Sequence, residues 1–342
     1  MFMESPTIKD VARVAGVSIS AVSMFLNGKD GIGKAAQERI ALAIETLGYV
    51  PRHTSRKENN TQIMGLLVEK LPLTLRGDHF YADVTMGMQA EGERLGYHFA
   101  IGVLNKPTRE LPSLLNTRNL AGVIAMGGGD VTDELLHQIL KQGLPLITVD
   151  NHSASDRMHS VEVNNFQGAY DATQHLIALG HQRIAIIRGP EKYKSLTERY
   201  YGYCQAMLEA GLSLDSTLIQ QSLSTGVPRK GYFEMQRLLE NVNRPTAIFA
   251  VSDRTALGAI DVLRENGLRV PENISMAGFD DMDSTSYAPP ALTTVSTARY
   301  EMGVVTVQRL HTLIGNPAQT PVKMIMYSTL LIRDSTVASS LL

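Results

Sequence analysis

Apolar positions in the first fifty residues recur with helical spacing and are interrupted twice. Ile8, Val11, Ala12 and Ala15 fall at i, i+3, i+4 and i+7, one apolar face of a short helix. Thr7 stands at its N-cap with Asp10 three residues on, and Gly16 closes it. Ser18 opens a second helical pattern whose inward positions are Ala21, Val22, Phe25 and Leu26. Its outward positions are then Ile19, Ser20, Ser23, Met24 and Asn27. A third helix is predicted over 34–47, with Ala36, Ile40, Ile44 and Leu47 on one face and Gly48 as its stop. Two helices joined by a single-glycine turn cross steeply, so that one can enter a major groove while the other braces it. A three-helix structural or protein-binding module fits the same pattern. The outward face of the second helix favours DNA, because Ile19 and Met24 are apolar where only an external partner, such as thymine methyl groups, would cover them.

Beyond residue 62 the pattern changes to short apolar runs alternating with amphipathic helices. Strands are predicted at 63–68, 97–104, 122–126, 146–149, 183–188, 217–221, 247–251 and 274–279. Helices are predicted at 81–95, 109–116, 132–142, 166–179, 196–210, 230–240 and 254–266. Apolar strands followed by helices imply parallel sheets covered on both faces. The repetition implies two similar lobes, with a ligand held at strand C-terminal ends in the cleft between them. Between head and body, residues 51–61 are polar and basic in the middle, a linker. The fold class is therefore α/β, with domains at 1–50, 51–61 and 62–342.

Composition adds four constraints. Residues 1–60 carry eight Lys/Arg and six Asp/Glu, a surplus of +2, while the remainder carries 24 against 28. A basic head on an acidic body fits a nucleic-acid reader with a different kind of partner for its body. No run of about 18 apolar residues and no basic-then-apolar leader is present, so neither a membrane span nor export is expected, and the location read from this is cytoplasmic. The single cysteine, Cys204, rules out an internal disulfide framework and reads as an inert core residue. Catalytic signatures are missing: Gly127-Gly128-Gly129 lacks the spacing of a nucleotide fingerprint and the lysine of a phosphate loop. No nucleophile elbow occurs. His152 and His159 around Asp156 read as surface loop residues, not metal ligands. No enzyme activity, cofactor or metal is expected.

The head run Thr7-Ile8-x-Asp10-Val11-Ala12-x-x-Ala15-Gly16-Val17-Ser18-x-x-x-Val22-Ser23, with Leu26-Asn27-Gly28 and Leu47-Gly48-Tyr49-x-Pro51, resembles the lactose/galactose-repressor family of bacterial transcription regulators. The body resembles that family's effector domain, itself similar to periplasmic sugar-binding proteins. The matching segments include Val149-Asp150, Leu179-Gly180-His181-x-Arg183-Ile184-Ala185, Arg199-x-x-Gly202-Tyr203, Ser252-Asp253-x-x-Ala256-Leu257-Gly258 and Gly278-Phe279-Asp280-Asp281. The resemblance implies that Ile19, Ser20 and Met24 read bases. It implies that Thr7, Ser18, Ser23 and Asn27 touch the phosphate backbone, with Lys34 assisting. Arginine is usual in the family where Met24 stands, so the bidentate guanine contact it would make is lost here. In the hinge, Glu58 replaces the family's minor-groove leucine wedge, so that either DNA bending is weakened or a shifted contact by Arg56 or Lys57 takes its place.

For the body the resemblance places Asp150, Arg199 and Asp280 on the effector's hydroxyls and Ser252 where asparagine is usual; Phe80 or Tyr81, ahead of Phe279, offers an aromatic wall for a sugar or base face. Phe279 is expected in the core, Asp253 at a helix N-cap and Asp281 as a loop brace. Ser252 and the short Thr297 leave room for a bulkier effector, a disaccharide or an acidic sugar. The function so implied is that of a homodimeric repressor of a pseudo-palindromic operator, modulated by a small carbohydrate effector. A soluble carbohydrate-binding protein with impaired operator binding is the alternative.

Overall fold

A computed structural model of the chain describes residues 6–26, 31–47, 62–69, 79–104, 112–127, 131–150, 157–222, 230–287 and 289–339. It divides into two compact units, residues 1–60 and 61–342. Among the described residues no helix is long and apolar enough to cross a membrane.

The first unit holds α1 (Ile8–Ala15), α2 (Ile19–Leu26) and α3 (Lys34–Leu47). Asp10 accepts hydrogen bonds from both the amide and the hydroxyl of Thr7, 3.0 and 2.6 Å, and fixes the start of α1. Gly16 adopts φ +61°, which returns the Val17 amide to the Ala12 carbonyl and turns the chain sharply into α2. Ser18 caps α2 by accepting from the Ala21 amide at 3.1 Å. Val11, Ala12, Ala15, Val22, Ile40 and Ala43 form the core, with Phe25, Leu26, Ile44 and Leu47 packed around it. Ala43 joins Ile40 on the buried face of α3.

In the second unit the chain builds one lobe from β1 (Gln62–Val68), α4 (His79–Leu95), β2 (Tyr97–Val103), β3 (Leu120–Met126), α5 (Asp133–Lys141), β4 (Leu146–Val149) and β5 (His159–Val163). It crosses into α6 (Asn165–Ala178), β6 (Ile184–Arg188), α7 (Lys194–Glu209), β7 (Ile219–Gln221), α8 (Tyr232–Leu239), β8 (Ala247–Ala250), α9 (Asp253–Glu265), β9 (Ser275–Phe279), α10 (Asp283–Tyr287) and β10 (Thr293–Thr297). It returns through α11 (Arg299–Gly315) and β11 (Lys323–Met326), then ends at β12 (Ser328–Leu331). The first sheet has strand order β11-β5-β4-β3-β1-β2 and is parallel throughout. The second has order β12-β10-β9-β8-β6-β7 and is parallel except for β12 against β10. Each crossing helix packs on the helix that follows the first strand of its new lobe. Thus α6 lies on α7, and α11 lies on α4. In the second pair the backbones nearly touch: a Cβ on Gly303 would stand 2.0 Å from the Val84 carbonyl oxygen, and one on Gly87 2.0 Å from that of Tyr300.

Three features depart from the pattern reading. The helix expected over 109–116 is, among the described residues, one 3-10 turn at Ser113–Asn116 that wedges Leu114 against Gly65 and Gly102. His159, expected on a surface loop, is buried in β5, where its Nδ1 accepts from the Val322 amide at 3.0 Å. That strand was hidden because its sequence is half polar; Ser160 donates to Glu162 at 3.0 Å, and Lys323 pairs with the same carboxylate at 3.2 Å. His152 and Asp156 lie outside the described residues. Finally, α10, β10, α11, β11 and β12 all follow Phe279, where the sequence yielded motifs but no elements. Cys204 is only partly buried at the core's margin, and burial holds its thiol above the usual range.

Candidate functional site

In the head unit the outward side of α2 is only partly as expected. Ile19 is 47% exposed and Ser20 is exposed, whereas Ser23 and Met24 are half-buried. The Met24 methyl lies 3.2 Å from where a Cβ on Gly31 would stand, so this side chain folds over the start of the next segment instead of projecting freely. Thr7 and Ser18, placed on the phosphate backbone by the resemblance, are exposed, and both already hold helix starts. Lys34 is exposed at the first position of α3. Asn27, Arg56 and Glu58 lie outside the described residues.

In the second unit the chain passes between lobes three times, at Asn164, Ala298 and Tyr327. Asn164 and Ala298 share one backbone conformation, φ −74° with ψ 72° and φ −74° with ψ 66°. This is the inverse γ-turn, a compact bend that lets a strand end run directly into a helix. The first and third passages are tied, since the Asn164 amide donates to the Met326 carbonyl at 2.9 Å and the Ser328 hydroxyl to that of Asn164 at 3.3 Å. The C-terminal ends of β1, β3 and β4 in one lobe and of β6, β8 and β9 in the other thus lie on either side of a three-stranded hinge.

At these strand ends the predicted effector residues form two groups. On the second lobe, Arg199 of α7 is buried. Its Nη1 donates to the Val251 carbonyl at 2.7 Å and to Asp280 at 2.9 Å, and its Nε to Asn165 Oδ1 at 2.9 Å. The guanidinium lies 3.6 Å from the centroid of Phe279, which is fully buried as expected. On the first lobe, the Tyr81 hydroxyl donates to Asp150 at 3.0 Å, and Phe80 packs edge-on to Tyr81 with ring centroids 5.2 Å apart. Asp150, Asp280 and Asp281 all adopt positive φ, +48°, +112° and +52°. Such conformations are costly for non-glycine residues and persist where the surroundings over-determine them.

The helix cap in this region falls one residue earlier than expected. Ser252 is the N-cap of α9, its hydroxyl accepting from the Thr255 amide at 3.3 Å. Asp253, expected at that cap, is fully buried and accepts from the Met282 amide at 2.8 Å and from the hydroxyls of Thr285 and Thr294. Burial, with the charge of Asp280 nearby, pushes its carboxyl up to about 7. Asp281 is a brace, as expected, paired with Arg333 at 2.6 Å. Thr297 is 7% exposed, and its hydroxyl is one of the few buried polar atoms with no partner among the described residues.

Sequence reasoning missed Asn165, Asp83 and Arg299. Asn165 is buried at the first crossing and orients Arg199. Arg299, at the other crossing, pairs with Asp83 of α4 at 2.9 Å and donates to the carbonyls of Asp280 and Asp281. None of the three carries a periodicity signal; Asn165 and Arg299 have one cue, that they follow strand ends, and Asp83, within α4, has none.

Residues 7–52 match the family of bacterial regulatory proteins described as lacI, and residues 173–336 match a periplasmic binding protein-like domain. The HTH-type transcriptional regulator CelR of Thermobifida fusca is 32% identical over 337 residues, which span 96% of this chain and 98% of that protein. The HTH-type transcriptional repressor PurR of Histophilus somni is 31% identical over 334 residues, 96% and 98% of the two chains. Among solved structures, the complex of the transcriptional regulator CelR with cellobiose is similar with a TM-score of 0.72 and 30% identity, over 96% of this chain and 99% of that one. These relatives are transcription regulators, not enzymes.

Proposed function

The chain belongs to the lacI family of bacterial regulatory proteins, and we propose on that footing that it is a homodimeric transcriptional repressor whose operator affinity responds to a neutral carbohydrate bound between the two lobes. One observation carries the effector class: the Arg199–Asp280 pair, oriented by Asn165 and stacked on Phe279 at the strand ends. A fixed guanidinium beside a carboxylate offers donors and acceptors to adjacent hydroxyls of one sugar ring. The charge balance argues against the acidic sugar that the sequence left open. Arg199 is neutralised by Asp280, and Asp150 adds a negative group on the opposite lobe. The similar CelR structure holds cellobiose, which supports a disaccharide-sized neutral ligand.

Operator recognition is read from the head. Ile19 and Ser20 are the side chains of α2 that stand most open for base edges, and Met24 contributes less than its position implies because it covers Gly31. A dimer follows because one head reads one half-site.

The experiment is a thermal-shift panel of neutral disaccharides including cellobiose, uronic acids and nucleosides, with hits retested for release of a palindromic DNA selected from a random pool. A neutral sugar is expected to stabilise the wild type and to lose its effect in Arg199→Lys and Asp280→Asn. Stabilisation by uronic acids alone would overturn the effector class. Absence of any sequence-specific, salt-sensitive DNA shift would favour a carbohydrate-binding protein without operator activity.

A further inference from the structure

Asp280 carries the acceptor half of the proposed effector site, yet its backbone is strained, and three arginines surround the turn that it opens. Arg199 holds its carboxylate at 2.9 Å, and Arg333 holds the neighbouring Asp281 carboxylate at 2.6 Å. Arg299 approaches from behind, donating through Nη1 to the Asp280 carbonyl and through Nη2 to that of Asp281 at 3.2 Å. The first two arginines belong to the second lobe. Arg299 does not: it is the first residue of α11, which packs on α4, β3, β4 and β5 of the first lobe. Its Nε is held by Asp83 of α4 at 2.9 Å, and its side chain is only 11% exposed.

We infer that Arg299 is a positioning residue for Asp280 and that Asp83 sets Arg299, so that the acceptor carboxylate of one lobe is aimed by an ion pair on the other. The physical argument is geometric. A guanidinium is a planar fork, so a single orientation satisfies the carboxylate on one edge and two carbonyls on the other. Rotation of the lobes about Asn164, Ala298 and Tyr327 would move Arg299 with α4 and would stretch its bonds to the second-lobe carbonyls. The turn at 280–281 has no glycine to relax its positive φ, so its shape depends on those bonds. Lobe rotation is thereby converted into a change in the Asp280 side chain. The functional meaning rests on the cleft being the effector site, as proposed above; the mechanical coupling does not.

Hydrogen exchange on the ligand-free full-length chain tests it. Three amides report the turn: Asp280 donates to the Val295 carbonyl at 2.9 Å, Asp281 to the Thr294 hydroxyl at 3.4 Å and Met282 to Asp253 at 2.8 Å. Asp83→Asn is expected to speed exchange in the peptide covering 279–283 about fivefold, the range for losing a partly buried ion pair, while amides of α4 keep their protection. Asp83→Glu is expected to restore most of the protection. Arg299→Lys, which keeps the charge but offers one ammonium where two carbonyls need donors, is expected to match Asp83→Asn. No change at 279–283, or acceleration spread evenly through α4 and the first sheet, would overturn the inference. Because no sugar is present, a failed carbohydrate screen leaves this result standing, and the two readings fail separately.

Discussion

Among the described residues, three buried side-chain polar atoms have no hydrogen-bond partner, on Arg183, Arg309 and Thr297, and the last of these lies nearest the hinge in sequence. Its hydroxyl is buried at the end of β10, beside the second hinge passage, without a partner among the described residues. Desolvating a hydroxyl without replacing its hydrogen bond costs roughly 1–3 kcal/mol. Thr297→Val keeps the shape and removes that cost, so the ligand-free protein is expected to gain about 1 kcal/mol, a rise of about 2–4 °C in Tm for a domain of this size. A fall in Tm by calorimetry would mean that the hydroxyl is satisfied in solution. The residue scale is also where the sequence was least explicit. Asp150, Arg199 and Asp280 were legible because they sit in dense motifs, but Asn165 and Arg299, which bond to them, are single positions after strand ends, and Asp83, which holds Arg299, is a single position within α4. The choice of Ser252 over Asp253 as the cap of α9 was illegible for a related reason. Either residue caps a helix, and only burial of the carboxylate against Met282, Thr285 and Thr294 decides which one does.

Elements were legible where one face is apolar and the other polar, or where both are apolar. Strands β1, β3, β4, β6, β8 and β9 read as short apolar runs because helices cover both faces of each sheet. β5 did not, since it buries His159, Ser160 and Glu162 in a hydrogen-bonded set that looks like a loop in one dimension. α11 escaped for a different reason. It buries Met302, Gly303, Thr306, Val307, Leu310 and Leu313, so a glycine and a threonine break the apolar stripe, and the glycine lies where the helix backbone meets α4. That contact makes a prediction of its own. In Gly303→Ala the new methyl would stand 2.0 Å from the Val84 carbonyl and 2.7 Å from the Met88 amide, both backbone groups that yield only if the helices separate. The expected loss is about 1–3 kcal/mol, measured by denaturant unfolding. Gly315→Ala, in the same helix with open space around it, is the control and is expected to be neutral or slightly stabilising. Equal effects at the two sites would show that α4 and α11 are not closely packed in solution.

For the whole molecule, the question is how a weakly basic head would gain the operator affinity proposed for it. Residues 1–60 have a surplus of only +2, and of the positions that the family resemblance places on phosphates, Thr7, Ser18, Ser23 and Asn27 are uncharged and only the assisting Lys34 is a cation. Neutral hydrogen bonds to phosphate fix register but release no counterions, so the salt dependence of binding must come from the few cations. Arg56, with Lys57 as the alternative, is the cation expected to make a shifted contact in place of the family's wedge. Each phosphate charge neutralised contributes about −0.9 to the slope of log affinity against log salt concentration. Arg56→Ala removes one cation per head, hence two from a dimer on a full palindrome. The slope is expected to become shallower by about 2, with affinity falling uniformly across operator variants. A change of about 1 would mean that a single head engages at a time and would argue against the symmetric dimer. An unchanged slope would remove Arg56 from the interface. A slope change confined to the best operator would instead make Arg56 a base reader. Fluorescence anisotropy over a salt series with a full and a half palindrome separates these outcomes, and the half-site serves as the internal reference because it engages at most one Arg56.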